Sequence, residues 1–317
     1  MKIIGWSVPE EIKEIDSIIQ KIKDMGFDSY EVTGKKNENV LLDMCGKYGI
    51  NTYKVIEPLK KRNNALLQTQ EPIEETYPGY IEINNEYQYG GEPVSGNREI
   101  LNKELACPLD PGVIDYAINQ VERARQIGHH GICWDFIGYR NYHSCECSLC
   151  CEKLKAYIQN NPDKEERTSA KIFYETNLVN LYSNLYDNVK RIAPEMKIIC
   201  HCHPVYLPDP FICLKYKVDY CGITVSWFFK PHWAIEKVKD YISMTVNGPY
   251  AYSQTKGMPM IGFYGYGDQK KHYRSQKRIR LEFDILREEG AKALMMCETE
   301  HIIKCREIAE VIKNNLV

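Results

Sequence analysis

An aspartate closing an apolar strand is the first chemical signal in this chain of 317 residues. Asp135 directly follows Gly131-Ile132-Cys133-Trp134. A carboxylate in such a run carries a large desolvation cost unless it is paired or employed. Burial or a neighbouring charge then makes it an acid, a base or a nucleophile. The structural alternative is an ion pair, with Arg140 the candidate cation. Glu298 stands in the same relation to Leu294-Met295-Met296-Cys297, and Glu300 shares its face through the two-residue strand period. Either acid could instead serve the N-terminus of the last helix. Glu298, closer to the strand body, is the preferred partner of Asp135. His201 and His203 flank Cys202 on one strand face, where they could chelate a metal or hydrogen-bond substrate hydroxyls; the second use is favoured. Cys145, Cys147, Cys150 and Cys151 crowd one short segment after His143, a donor set that suits tetrahedral zinc, and distant Cys107 could complete it. The alternative is a set of free thiols that pins a loop.

These residues need a frame, and the hydrophobic pattern supplies one. Strand-like runs at 2–7, 27–32, 50–58, 129–139, 196–203, 219–227, 258–267 and 291–298 alternate with stripes at helical spacing. Gly26, Gly49 and Gly128 close helices, and Asp110-Pro111 opens one as an N-cap followed by a first-turn proline. Helices are expected around 232–243, 273–289 and 301–315. Strands that are apolar on both faces, each followed by a helix, predict a parallel sheet under a helical layer. Eight units give an α/β fold, a (β/α)8 TIM barrel with a long insertion after strand three. The chain reads as a single barrel domain over 1–317, with 59–109 as an inserted loop region forming part of the cleft. An open doubly wound sheet is the rival, but no strand leads into a GxGxxG phosphate loop.

A barrel gathers its chemistry at the C-terminal strand ends. The candidates there are Trp6, Glu31, Glu57, Asp135, His201, His203, Trp227, Tyr264, Tyr266, Asp268, Glu298 and Glu300. Glu57 and Asp268 are expected to be rim hydrogen-bonding groups. Trp6, Trp134, Trp227, Tyr264 and Tyr266 offer flat faces on which sugars stack, with core packing as the alternative for each. His129 and His130 precede strand four, at the opposite face, and receive no catalytic role. The basic stretch Lys270, Lys271, Arg274, Lys277, Arg278 and Arg280 reads as a solvated helix face.

The run GICWDFIGYRNYHSCECSLCCEKLKAY (131–157) resembles the fourth-strand region of (β/α)8-barrel glycoside hydrolases, including uncharacterised bacterial types. In that pattern a G-I-x-x-D-x-x-x-Y strand end precedes C-x-C-x-x-C and an apolar helix. Gly131, Ile132, Asp135, Tyr139, Cys145, Cys147 and Cys150 match it. The chain departs from the pattern at Leu154, where an aromatic is common, and in strand six, which lacks the carboxylate of some related barrels. The resemblance implies cleavage or recognition of a sugar, with the strand-four aspartate a site residue and Tyr139 beside it.

Composition narrows the classes further. A formal charge of −2 and 44% hydrophobic residues describe a globular protein without the positive field of a nucleic-acid binder. No apolar run approaches a membrane span, and the N-terminal stretch turns acidic too early for a secretory signal, so a cytoplasmic protein is expected. Thirteen cysteines in such a chain are mostly reduced, buried small hydrophobes. Twenty-three tyrosines against eight phenylalanines favour a large, wet cleft. The expectation is a glycosidase that cleaves an oligosaccharide with Asp135 and Glu298, requires no cofactor, and carries at most a structural zinc at Cys145–Cys151. The second reading is a metal-dependent sugar isomerase or hydrolase using His201 and His203. The third is a non-catalytic carbohydrate-binding barrel.

Overall fold

The structure is a computed structural model of the chain. It describes all residues except 7–11, 35–36, 70–75, 84–85, 96–103, 136, 140–143, 203–210, 228–232, 263–273, 298 and 317, and describes only the backbone of 12–13, 76–83, 86–95, 227 and 301.

Eight strands form a closed parallel barrel: β1 (Lys2–Trp6), β2 (Ser29–Val32), β3 (Asn51–Ile56), β6 (Gly131–Trp134), β7 (Lys197–Cys202), β8 (Tyr220–Trp227), β9 (Lys256–Gly262) and β10 (Ala293–Cys297). They run around the barrel in sequence order, and β10 pairs back onto β1. The pleat sends alternate residues inward. Ile4, Tyr53, Cys133, Ile199, Met258, Met260, Ala293 and Met295 therefore fill the interior, with Trp6 and Cys297 packed against them. The other strand faces meet the helices in two large apolar clusters. Gly131 shows how tight the interior is. A Cβ there would lie 2.5 Å from the Lys197 carbonyl and from the Tyr53 ring.

Helices α1 (Ile12–Asp24), α2 (Glu38–Lys47), α3 (Gly112–Gln126), α4 (Ser148–Gln159), α5 (Glu166–Ile192), α6 (Ile235–Asn247) and α7 (Gln276–Glu288) lie between the strands. The single closing helix expected over 301–315 is instead two, α8 (Thr299–Lys304) and α9 (Arg306–Leu316). Cys305 breaks them: its N–H turns back to the Ile302 carbonyl, and its own carbonyl accepts from Ala309 to start α9. No helix among the described residues is long and apolar enough to cross a membrane.

Between β3 and β6 the insertion leaves and returns on adjacent antiparallel legs, bridged at Lys60–Leu105 and Leu67–Ala106. It is not all loop, because β4 (Thr76–Ile83) and β5 (Glu86–Ser95) form an antiparallel two-stranded sheet. Asp110 fastens the returning leg. It accepts from Gly112 N at the start of α3 and from Leu66 N in the outgoing leg, and it pairs with Arg62.

The basic stretch before and within α7 is not a solvated face throughout, as the sequence pattern suggests. Lys277 and Arg280 are exposed, but Arg274 and Arg278 are buried around Glu282, which is also fully buried. Ser226 donates to the second Glu282 oxygen at 2.6 Å. The i, i+4 spacing of Arg278 and Glu282 makes an internal ion cluster out of what reads as a solvated face.

Candidate functional site at the barrel mouth

Three staves bring the central groups together. Asp135 leaves β6 at the C-terminal mouth, its backbone N–H held by the Ile56 carbonyl, and its side chain stays 17% exposed. His201, near the end of β7, is buried with its Nδ1 3.9 Å from Asp135 Oδ1. Trp6 ends β1, four staves from β7 in the strand order, yet its ring meets the His201 ring edge-on at 4.9 Å between centroids. That contact spans the barrel axis. A carboxylate beside an imidazole and an indole has the chemical makeup of a sugar-binding corner: charge, hydrogen-bonding edge and stacking face.

Glu31 is the group that sequence reasoning placed at a strand end without giving it a role. It is the register neighbour of both Trp6 and Tyr53, and it is completely buried. Burial pushes its pKa up to about 8, the charge of Asp135 adds to the rise, and a hydrogen bond with the Cys133 thiol opposes it. Cys133 is pushed well above the ordinary thiol range by burial and by the Glu31 and Asp135 charges. The signal was present in FDSYEV, where a carboxylate interrupts an apolar strand just as Asp135 does. Thr224 on β8, the stave opposite β2, is also wholly buried, and its hydroxyl finds no hydrogen-bond partner.

The other expected residues divide. Glu298, His203, Tyr264, Tyr266, Asp268 and Arg140 lie outside the described residues, and Trp227 is described only as the last residue of β8. Glu57 sits half-buried at the root of the insertion, near Tyr116 on α3, whose phenol is raised by burial first and by the Glu57 charge second. Glu300 lies in the first turn of α8 and pairs with Lys304 at 2.8 Å, the helix-end use weighed for it. Trp134 is fully buried in the outer core, so core packing accounts for it. His129 contacts Glu38 at 3.0 Å, and His130 accepts the Thr52 N–H, both structural uses.

Tyr139 requires a correction. Its ring is buried in the outer core and packs edge-on against Tyr174, and its hydroxyl is spent on the Tyr174 carbonyl at 3.0 Å. The G-I-x-x-D-x-x-x-Y spacing carries it past the strand end and down toward the cysteines. There Cys107, Cys145, Cys147 and Cys150, all buried, place their sulfurs within 4.8 Å of one another. Cys107 lies 3.4 Å from Cys150 and 3.6 Å from Cys147. A tetrahedral zinc with Zn–S bonds of about 2.3 Å has sulfur–sulfur edges of about 3.8 Å, which this spacing fits. Cys151 does not belong to the cluster; it is exposed, with its thiol on the Glu146 carbonyl. In α4 it is the next residue after Cys150, and one helical step of about 100° turns it outward. The thiols of Cys107 and Cys150 donate to Cys145 and hold it well below the ordinary thiol range, while both donors are pushed up. A buried group of four sulfurs at this spacing, with one thiol already held low, suits a cation. Among the described residues no histidine joins a group with metal-ligand spacing.

No protein-family model matches the sequence, and no curated protein does. Solved structures do match in fold. A β-galactosidase from Bacillus circulans sp. alkalophilus aligns with 100% of the chain at a TM-score of 0.63 and 13% identity. A GH42 β-galactosidase from G. stearothermophilus aligns with 99% at 0.65 and 10% identity. The chain spans 56% of the length of each. The PgaB (BpsB) glycoside hydrolase domain from Bordetella bronchiseptica, at 0.59 and 12% identity, is matched over 99% of its length. At these identities the likeness is one of fold: the chain has the (β/α)8 barrel found in these glycoside hydrolases.

Proposed function

We propose that the protein is a glycoside hydrolase that cleaves an oligosaccharide at the barrel mouth. One observation carries the reading: a partly exposed carboxylate, Asp135, stands against His201 at the C-terminal end of β6, the stave opposite β10. Glycoside hydrolysis uses two carboxyl groups on either side of the scissile bond, one protonated and one ionised. β10 lies four staves from β6 and leads into Glu298, which we assign as the second carboxyl. Trp6 offers a stacking face, and His201 hydrogen-bonds sugar hydroxyls. In this reading the insertion over 59–109 is assigned to one cleft wall, and Trp227, Tyr264, Tyr266, His203, Glu57 and Asp268 are assigned to substrate binding. The fold shared with β-galactosidases and the PgaB domain supports a carbohydrate as the substrate class.

Zinc bound by Cys107, Cys145, Cys147 and Cys150 ties the insertion to the segment after Asp135 in this reading. A four-thiol site of this kind fits a reducing compartment and hence the cytoplasm. The test is release of reducing ends from a panel of oligosaccharides by the purified chain and by Glu298→Gln. Turnover that Glu298→Gln abolishes supports the assignment. Saturable binding of the same sugars without turnover supports a carbohydrate-binding barrel instead.

A further inference from the structure

Buried acids among the described residues come with basic partners. Glu38 pairs with Lys54 and His129, Asp110 with Arg62, Glu282 with Arg274 and Arg278, and Glu300 with Lys304. Each of these is explained by the structural role of a neutralised charge. Glu31 is the exception among the described residues. It is fully buried, and neither carboxyl oxygen has a nitrogen or oxygen partner. The titratable groups that face it are the Cys133 thiol, the Asp135 carboxylate and the Tyr53 phenol, all neutral or negative. An acid kept without a cation, behind the mouth and in electrostatic reach of the reacting carboxylate, is not accounted for by packing: leucine or glutamine would satisfy that better.

We infer that Glu31 is a positioning residue for Asp135, a neutral carboxylic acid sealed into the barrel layer next to Trp6 that leaves Asp135 as the ionised member of the reacting pair. The inference rests on the reading of Asp135 as a reacting carboxylate. A pair of nearby carboxyls in a water-poor site shares one proton, because two adjacent negative charges repel. Full burial fixes that proton on Glu31, and Asp135, which keeps contact with solvent, takes the charge. Its thiol neighbour Cys133, itself held protonated by burial, turns its S–H to the Trp134 carbonyl at 3.8 Å and adds no competing charge. Asp135 then acts as the carboxylate, and the proton delivered to the leaving oxygen comes from the second carboxyl, assigned above to Glu298. Glu31 exchanges no proton with the sugar.

The test is an infrared titration of the carboxyl C=O band in the intact protein, alongside kinetics. The wild type is expected to show a protonated-carboxyl band at pH 7 that Glu31→Gln removes and that titrates near pH 8. Asp135→Asn is expected to lower that midpoint by roughly half a pH unit or more, because the opposing charge is gone. In turnover, Glu31→Gln should retain roughly tenfold more activity than Glu31→Ala, since it keeps the neutral shape that supports Asp135. No protonated band at pH 7, or a midpoint that Asp135→Asn leaves unmoved, overturns the inference. The infrared arms need no turnover. Failure of the hydrolase reading therefore shows as an inert sugar panel with the Glu31 titration intact. Failure of this inference alone shows as active enzyme with an ionised Glu31.

Discussion

Glu31→Gln removes one titration from the barrel interior while keeping the shape of the side chain, and its effect on stability can be worked out in advance. The ordinary carboxyl value of 4.5 applies to the unfolded chain, and burial raises the folded value to about 8. Between these values the folded protein holds a proton that the unfolded chain has released. Stability therefore falls as pH rises, by about 1.4 kcal/mol for each pH unit, and levels off above the folded value. Over the whole window the wild type loses about 5 kcal/mol relative to a variant with no titration at that position. The amide introduced by the substitution adds its own buried polar cost, but that offset does not change with pH. Urea unfolding of both proteins between pH 5 and 9 gives the difference directly. The expected outcome is a gap that moves steadily in favour of the variant up to about pH 8 and then stays constant. Parallel stability profiles across that range would refute the buried, protonated Glu31.

Other perturbations reach the rest of the frame. Cys107→Ser should lower bound zinc from one equivalent per chain and lower Tm, read by metal analysis and calorimetry, whereas Cys151→Ser should change neither. Glu282→Gln leaves two buried guanidinium groups without their carboxylate and should destabilise the fold by about 3–5 kcal/mol, measured by denaturant unfolding. Gly131→Ala forces a methyl group against the Lys197 carbonyl and the Tyr53 ring; a soluble, fully stable variant would contradict the close approach seen there.

The fold was legible because it depends on periodicity. The apolar runs around Ile3, Tyr30, Val55, Ile132, Ile199, Ile223, Met260 and Met295 all became barrel strands, since burial on both faces leaves a pattern that no local competitor imitates. The hairpin at Thr76–Ser95 was not legible, because its Gly, Pro and Asn content reads as loop until two strands pair. Side-chain direction was the harder matter. Asp135 reached the mouth, where strand position alone could put it, but Tyr139 lay beyond the strand end, and its direction depended on packing against Tyr174. Cys107 joined three thiols from a segment distant in sequence, which spacing allowed and only the closed barrel could specify. Arg274 and Arg278 read as solvent-facing because a single sequence cannot show Glu282 folding in between them. Glu31 carried the same signal as Asp135, an acid in an apolar strand, and the sign of its role appears only once its neighbours are known to lack a cation.

The proposed hydrolysis at the barrel mouth stands or falls on Asp135. The direct measurement is kcat/KM for wild type and Asp135→Asn on an oligosaccharide that the wild type cleaves, with sugar affinity measured in parallel by calorimetry. A reacting carboxylate at this position predicts a loss of at least about 10²-fold in kcat/KM with sugar affinity retained. Turnover by Asp135→Asn at the wild-type rate would contradict it.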